Sequence, residues 1–180
     1  MPTETDTFAS EGFSEGLGEP YTGAVQELAV VTTMSVSASP RRTWQSLVFY
    51  EEVKERPPWF LRLLLPVPVR TQGEKSRVGG EAICLYESGH LLKRTTHIVE
   101  NELYQFEVVE QQLPVGGSMR LHGGWYRLRE LADGRTELAV QTRYASSKRP
   151  RWLWRPLERF VCHLFHRFLL RSVRRKAERS

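Results

Sequence analysis

The sequence is poor in cysteine and has no long apolar run. Only Cys84 and Cys162 occur in 180 residues, which argues against the disulfide framework of small secreted domains. No apolar stretch approaches the ~20 residues of a membrane-spanning helix. The first residues also lack the basic segment and apolar segment of a secretory signal. A reducing, cytoplasmic compartment is therefore predicted.

Catalytic and cofactor motifs are also missing. The chain has no Ser-His-Asp order, no phosphate-cradling glycine loop and no dinucleotide fingerprint. Its glycine pairs at 79–80, 116–117 and 123–124 do not lie at the strand-to-helix turns that such motifs require. Neither cysteine stands at a zinc-finger spacing. The sequence predicts no cofactor and no metal, and it gives no positive sign of catalysis.

Basic residues are absent from the first 27 positions, whereas the last 33 are strongly basic. Residues 1–22 are rich in Glu, Gly, Ser and Thr, so ordering them would bury too little to offset the backbone entropy. We predict a disordered acidic tail at 1–22 and one domain at 23–180. The basic end faces either the tail or an anionic partner such as lipid headgroups or nucleic acid.

What the chain does contain is a sequence of short regular elements. Residues 27–36 are β-branched and lead into a Ser-Ala-Ser-Pro cluster, which predicts a strand followed by a helix. Ser39 is the expected N-cap and Pro40 the first helical residue. The helix, 41–50, would place Trp44, Leu47 and Val48 on one face. Prolines then interrupt residues 51–70, which predicts a second short helix with turns.

From residue 67 onward, runs of about eight to twelve residues alternate with turn signals, which is typical of an antiparallel meander. Six strands are predicted, at 67–74, 80–87, 91–99, 104–113, 118–130 and 136–145. With the first strand they make seven. The pair Gly123-Gly124 indicates a bulge, so the facing of strand 118–130 stays open.

Two strands alternate clearly between apolar and polar residues, which indicates the side that faces the core. The inward residues are predicted to be Tyr104, Phe106, Val108, Glu110, Leu138, Val140, Thr142 and Tyr144.

Residues 156–179 are predicted to form a long amphipathic helix. Its polar face would carry His163 and His166, three residues apart. That spacing suits a metal, but no Asp or Cys completes a set, so both are interpreted as solvated surface histidines. The predicted apolar stripe comprises Leu157, Phe160, Val161, Leu164, Phe165 and Phe168.

The order of a strand, two short helices, six antiparallel strands and a long helix resembles the START-like superfamily, also called SRPBCC. The resemblance covers about residues 24–178. It is carried by the strand-to-helix turn Val36-Ser37-Ala38-Ser39-Pro40-Arg41-Arg42-Thr43-Trp44. It is carried further by the close of the chain, which runs from Gly123-Gly124-Trp125-Tyr126 through Thr142-Arg143-Tyr144 to a helix rich in Arg, Trp and His.

The resemblance implies an α+β helix-grip fold, in which a curved seven-stranded antiparallel sheet wraps around the C-terminal helix. It also implies a cavity between sheet and helix that holds a hydrophobic or amphipathic small molecule, lipid-like or polyketide-like. Because one fold serves many functions, the chemistry remains open. The predicted ligand-binding residues are Phe106, Val108, Glu110, Tyr126, Leu138, Val140, Thr142, Tyr144, Leu157, Phe160, Val161, Leu164 and Phe168.

Two further functions compete with non-catalytic binding. A cyclase- or hydratase-type enzyme would need an acid/base pair in the cavity, and His97 or His122 would serve if turned inward. Four polar residues on inward faces form either a mutual hydrogen-bond network or a ligand-orienting set. They are Glu110, Tyr126, Thr142 and Tyr144.

The third function is contact with an anionic membrane surface. The apolar stretch 59–67 either packs under the short helices or forms an apolar lip together with two tryptophans of the helix region. Nucleic acid is not a predicted partner, because the aromatics of the basic helix lie on its inward stripe and cannot stack on bases. The lip would comprise Trp152 and Trp154, with Arg149, Arg151 and Arg155 as its basic rim.

Overall fold

The computed structural model describes residues 27–48, 68–113 and 118–179. The predicted acidic tail, the second short helix and the apolar stretch 59–67 lie outside these residues. In the part described, no helix is long and apolar enough to cross a membrane.

One antiparallel sheet holds all seven strands, and a short and a long helix complete the described part of the fold. The strand order is β1-β7-β6-β5-β4-β3-β2, so the first strand pairs with the last and the others follow as a meander. The predicted α+β helix-grip architecture is confirmed. The elements are β1 (Glu27–Val36), α1 (Pro40–Val48), β2 (Pro68–Gly73), β3 (Glu81–Tyr86), β4 (Gly89–Val99), β5 (Leu103–Gln112), β6 (Met119–Glu130), β7 (Thr136–Ser146) and α2 (Arg151–Arg179).

Helix α1 begins as predicted. The Thr43 amide donates to the Ser39 carbonyl at 3.0 Å, which is the first helical hydrogen bond. Pro40 occupies the first helical position, where its missing N–H costs nothing. Trp44 is buried in the core, and Leu47 and Val48 pack against it.

Strand β7 faces the core as its alternation predicts. Leu138, Val140 and Tyr144 are all buried. On β5, Tyr104 and Phe106 are buried as well, and Val108 packs against them. The inward facing of these residues is therefore confirmed.

The predicted inward facing of Glu110 is wrong. A register shift in the β4–β5 pairing leaves Val109 unpaired, since Lys93 pairs with Val108 and Leu92 with Glu110. Such a bulge reverses the side on which the following residues point. Glu110 instead lies 3.5 Å from His90 on the outer surface. Alternation predicts facing only as far as the next bulge.

The predicted bulge at Gly123-Gly124 is confirmed, and it settles the facing of β6. The β6–β7 register shifts between Leu121 and Gly123. Gly123 has a φ of 147°, and a Cβ there would lie 2.4 Å from the Phe106 carbonyl oxygen, so only glycine fits. Inward residues are Met119 and Leu121 before the bulge, and Tyr126 and Leu128 after it.

Helix α2 begins at Arg151, five residues earlier than predicted, and contains Pro156 in its second turn. The predicted apolar stripe is rotated from the face that the helix buries. Leu157 and Phe160 are 45% and 59% exposed. The face toward the sheet and α1 keeps Val161 and Phe165 of the predicted stripe and adds Leu170, Val173 and Ala177.

Candidate functional site

A cavity lies between the concave face of the sheet and α2, in two adjoining compartments of about 130 Å³ and 110 Å³. The first opens toward α1 and the β2–β3 pair, the second toward the start of α2. The wall between them is largely aromatic, with Tyr104, Phe106 and Tyr126 in a cluster whose ring centroids lie 6.1–6.4 Å apart. Six residues border both compartments: Tyr86, Lys93, Phe106, Tyr126, Phe165 and Leu169.

Lys93 is the charged residue at this junction. It is half-buried on β4, and its ammonium lies 4.6 Å from the centre of the Phe106 ring, in a cation–π contact. Burial lowers the pKa of Lys93, whereas the neighbouring Cys84 and Tyr86 raise it, and the net direction is upward. The cation–π contact with Phe106 favours the charged ammonium form of the side chain.

Two phenols beside Lys93, those of Tyr86 and Tyr104, are uncharged at neutral pH. Burial raises the pKa of Tyr86 to about 12, and burial also raises the pKa of Tyr104. No carboxylate among the described residues lies within ion-pair distance of Lys93. Its charge is thus met by ring faces and phenol groups.

The second compartment is more apolar, but beyond the residues of the junction its wall contains Glu158, Tyr144 and Thr142. Glu158 is buried and compensated, since it accepts from Ser146 Oγ at 2.6 Å and from the Arg151 guanidinium at 3.2 Å. Tyr144 is 1% exposed, and its hydroxyl has no hydrogen-bond partner among the described residues. Burial raises the pKa of Tyr144 to about 12. Thr142 is the third group, and it leads to a buried histidine.

His166 is wholly buried between α2 and the sheet. Its Nδ1 lies 2.9 Å from Thr32 Oγ1 on β1, and its Nε2 lies 2.8 Å from Thr142 Oγ1 on β7. Thr32 Oγ1 also lies 2.7 Å from His163 Nδ1. Burial lowers the pKa of His166 to about 4, and the nearby His163 acts in the same direction. The interpretation as a solvated surface residue is therefore wrong for His166, whereas His163 is half-exposed.

The number of hydrogens on each group limits the direction of the hydrogen bonds that link His163, Thr32, His166 and Thr142. The Thr32 hydroxyl has one hydrogen and two lone pairs, so it donates to at most one of the two histidines and accepts from at least the other. When His166 donates from Nδ1 to Thr32, its Nε2 is free to accept from Thr142. In the opposite tautomer, Nε2 donates to Thr142. His166 thus links Thr142, in the cavity wall, to the half-exposed His163.

The two histidines named as acid/base candidates lie elsewhere. His97 is exposed on β4, and His122 pairs with Glu27 at 3.0 Å on the outer face of the sheet. Neither borders a compartment.

The predicted ligand-binding residues divide into two groups. Leu138 is buried in the closed core and Glu110 lies outside the cavity, whereas Leu157, Phe160, Leu164 and Phe168 lie on faces of α2 that do not border it. The other seven line one or both compartments: Phe106, Val108, Tyr126, Val140, Thr142, Tyr144 and Val161.

Sequence reasoning missed several cavity residues. Lys93 lies in the run Leu91-Leu92-Lys93-Arg94, where no alternation marks it as inward. Val161 and Phe165 belong to the predicted stripe, and Cys162 and Leu169 recur with them at helical spacing, which was the available signal for these two residues. Thr32 also had a signal, because β1 alternates and places it between the buried Val30 and the half-buried Met34.

The first half of α2 presents large apolar side chains outward. Trp152 is 78% exposed, and Leu153, Leu157 and Phe160 share that face of the helix. The proposed basic rim is only partly free, because Arg151 is paired with Glu158. Trp154 is fixed by Lys148, whose ammonium lies 4.3 Å from its ring centre. Exposed Arg167 and Arg171 follow the apolar patch at helical spacing.

Comparison with solved structures places this arrangement among known folds. The Zhui aromatase/cyclase from Streptomyces sp. R1128 is similar at a TM-score of 0.60 and 16% identity, over 86% of this chain and 95% of that one. A protein from Nitrosospira multiformis is similar at a TM-score of 0.56 and 15% identity, over 83% of this chain and 95% of that one. Ara h 8.0201 is similar at a TM-score of 0.51 and 11% identity, over 86% of this chain and 100% of that one.

These likenesses show the fold, and the chain has the START-like helix-grip fold that its sequence resembles. No protein-family model matches the chain, and no curated protein sequence does. Its function therefore has to be argued from the cavity.

Proposed function

We propose that this protein binds a hydrophobic or amphipathic small molecule in the two-compartment cavity. The observation that carries the proposal is the aromatic wall of the cavity, where Phe106 and Tyr126 border both compartments and Tyr104 borders the first. Protein interiors are otherwise close-packed, with few voids larger than a water molecule. A closed core would fill this space with side chains.

The size of the compartments limits the ligand. Each is below the ~300 Å³ that is usual for ligand pockets, whereas a dry cavity of about 150 Å³ holds benzene. One compartment therefore accommodates a ring-sized group. A larger ligand spans both compartments, past Phe165 and Leu169.

A neutral fluorescent probe, N-phenyl-1-naphthylamine, tests the proposal. We expect saturable binding to the wild-type protein, with a blue-shifted emission. Leu169→Trp fills the junction and should weaken binding severalfold. Leu153→Trp makes the same change on the exposed face of α2 and should not. Absence of saturable uptake by the wild type would remove the proposal.

A cyclase- or hydratase-type reaction is a second candidate, favoured by the contact of His166 with Thr142. A buried base behind a cavity hydroxyl is one arrangement for general acid–base chemistry. Exchange of the α-protons of 2-tetralone in D₂O, followed by NMR, tests this. Faster exchange with the wild type than with His166→Gln supports catalysis, and a rate equal to that of buffer excludes this activity.

Contact with an anionic membrane is a third candidate, favoured by the exposed patch at the start of α2. Basic residues near an anionic surface contribute on the order of 1 kcal/mol each, and Arg167 and Arg171 continue the patch. The protein should then sediment with phosphatidylglycerol vesicles, less so at high salt, and not with phosphatidylcholine vesicles. Trp152→Ser with Phe160→Ser should abolish binding. Equal retention on both vesicles, or none, contradicts this candidate.

A further inference from the structure

The first compartment has an uneven charge. Its lining includes Arg70, Lys75 and Lys93, and no aspartate or glutamate among the described residues. The second compartment adds one carboxylate, Glu158, which is already held by Arg151 and Ser146. Among the described lining residues, the charged groups are therefore mainly positive.

Of these groups, Lys93 lies at the junction of the two compartments, beside the Phe106 ring. A buried charge is costly unless it is paired, and a cation–π contact such as that with Phe106 offsets only part of the cost. The remaining neighbours, Tyr86, Tyr104 and Tyr126, are phenols and bring no negative charge. An anion beside the ammonium would complete its environment.

We propose that the ligand of this cavity is an apolar molecule with a carboxylate, which pairs with Lys93 at the junction of the two compartments. This inference rests on the proposed ligand-binding function and names the chemical class that the site selects. The aromatic rings enclose the apolar part of the ligand, and Lys93 fixes its charged end. A neutral molecule of equal size would leave the ammonium unpaired.

Two probes of nearly equal shape test the inference, 2-naphthoate and 2-naphthylmethanol, by calorimetric titration at pH 7. A charge-assisted hydrogen bond favours the acid by about tenfold. The wild type should bind the carboxylate at least that much more tightly. Lys93→Met should remove the preference for the carboxylate, measured as the ratio of the two affinities, and Lys93→Arg should keep the preference.

Lys148→Met is the matched control, because Lys148 also lies over an aromatic ring but outside the cavity. It should keep the wild-type preference. The comparison of two probes on the wild type needs no variant, so it stands even where Lys93→Met folds poorly.

The outcomes separate this inference from the function on which it rests. Equal affinity of the wild type for both probes overturns the role of Lys93 and leaves ligand binding intact. Binding of neither probe overturns both. A preference that survives Lys93→Met would assign the anion to another group and overturn the inference as well.

Discussion

The two halves of α2 meet the sheet in different ways. In the second half, from His166 to Ala177, six residues are buried and pack with β1, α1 and the far end of β7. In the first half only Glu158 is buried, and the large apolar residues Trp152, Leu153, Leu157 and Phe160 are exposed. One half of the helix closes a core, whereas the other spans a cavity.

This difference separates stability from binding along a single helix. The second half contributes most of the close packing, although its Leu169 and Val173 also border the first compartment. The first half contributes the cavity wall, and the sheet opposite it is lined by Tyr144, Thr142 and Met119 without filling the space. Substitutions in the second half should therefore mainly lower stability, whereas substitutions in the first half should mainly weaken ligand binding.

The largest effect is expected from Leu170→Ala in the closed half. Leu170 is wholly buried in the core, so the change should lower the free energy of unfolding by about 2–5 kcal/mol and leave probe affinity unchanged. Phe165→Ala, at the cavity wall, should cost less stability and reduce N-phenyl-1-naphthylamine binding more. Urea denaturation and fluorescence titration measure both. Similar losses of stability in both variants, with no change in probe affinity, would contradict the division of α2 into a packing half and a cavity half.

The second effect is a pH dependence from His166. Between pH 6.5 and 4 the unfolded chain binds a proton that the folded chain, with its pKa of about 4, does not. The contribution of His166 to the free energy of unfolding is therefore fully present above pH 6.5. It is lost as the pH falls, by on the order of 3 kcal/mol at pH 4. His166→Gln should flatten the difference between pH 7 and 4.5 in urea denaturation. His97→Gln, on the exposed side of β4, is the control and should not.

A smaller effect is expected from Tyr144→Phe. The buried hydroxyl has no partner among the described residues, so its removal should leave stability within ~0.5 kcal/mol or raise it. If a ligand hydroxyl meets this group, affinity for 2-naphthylmethanol should fall about fivefold, and affinity for 2-methylnaphthalene should stay. A large loss of stability would show that the hydroxyl has a structural partner.

The smallest effect is expected from Phe160→Ala on the outer face of α2. Because Phe160 is 59% exposed, the free energy of unfolding should change by less than ~0.5 kcal/mol, and binding of the neutral probe should not change. Thermal denaturation and the same titration check this. A loss comparable with that of Phe165→Ala would show that the outer face is covered in solution.

Local pattern predicted the architecture well. β-branched runs and turn residues gave seven strands, and Ser39-Pro40 gave the start of α1, because these signals act over a few residues. The inward facing of Leu138 and Val140 also followed from period-two alternation. The same rule failed at Glu110, where one extra residue in β5 reverses the pleat.

The facing of α2 was harder to predict for a different reason. The helix has two apolar stripes, one through Leu157 and Phe160 and one through Val161 and Phe165, about 100° apart on its surface at 3.6 residues per turn. Either stripe satisfies the helical period. Only contact with the sheet selects between them, and that choice also buries His166.

By itself, the sequence determined the number and order of strands, the start of the first helix and the presence of a long apolar and basic helix. These depend on backbone preferences and on periodicity within one element. Tertiary structure alone decided that Lys93 points into the cavity, that His166 is buried against Thr32 and Thr142, and that Phe160 faces outward. Each of these depends on a bulge or on the rotation of a helix, which is fixed by partners distant in the chain.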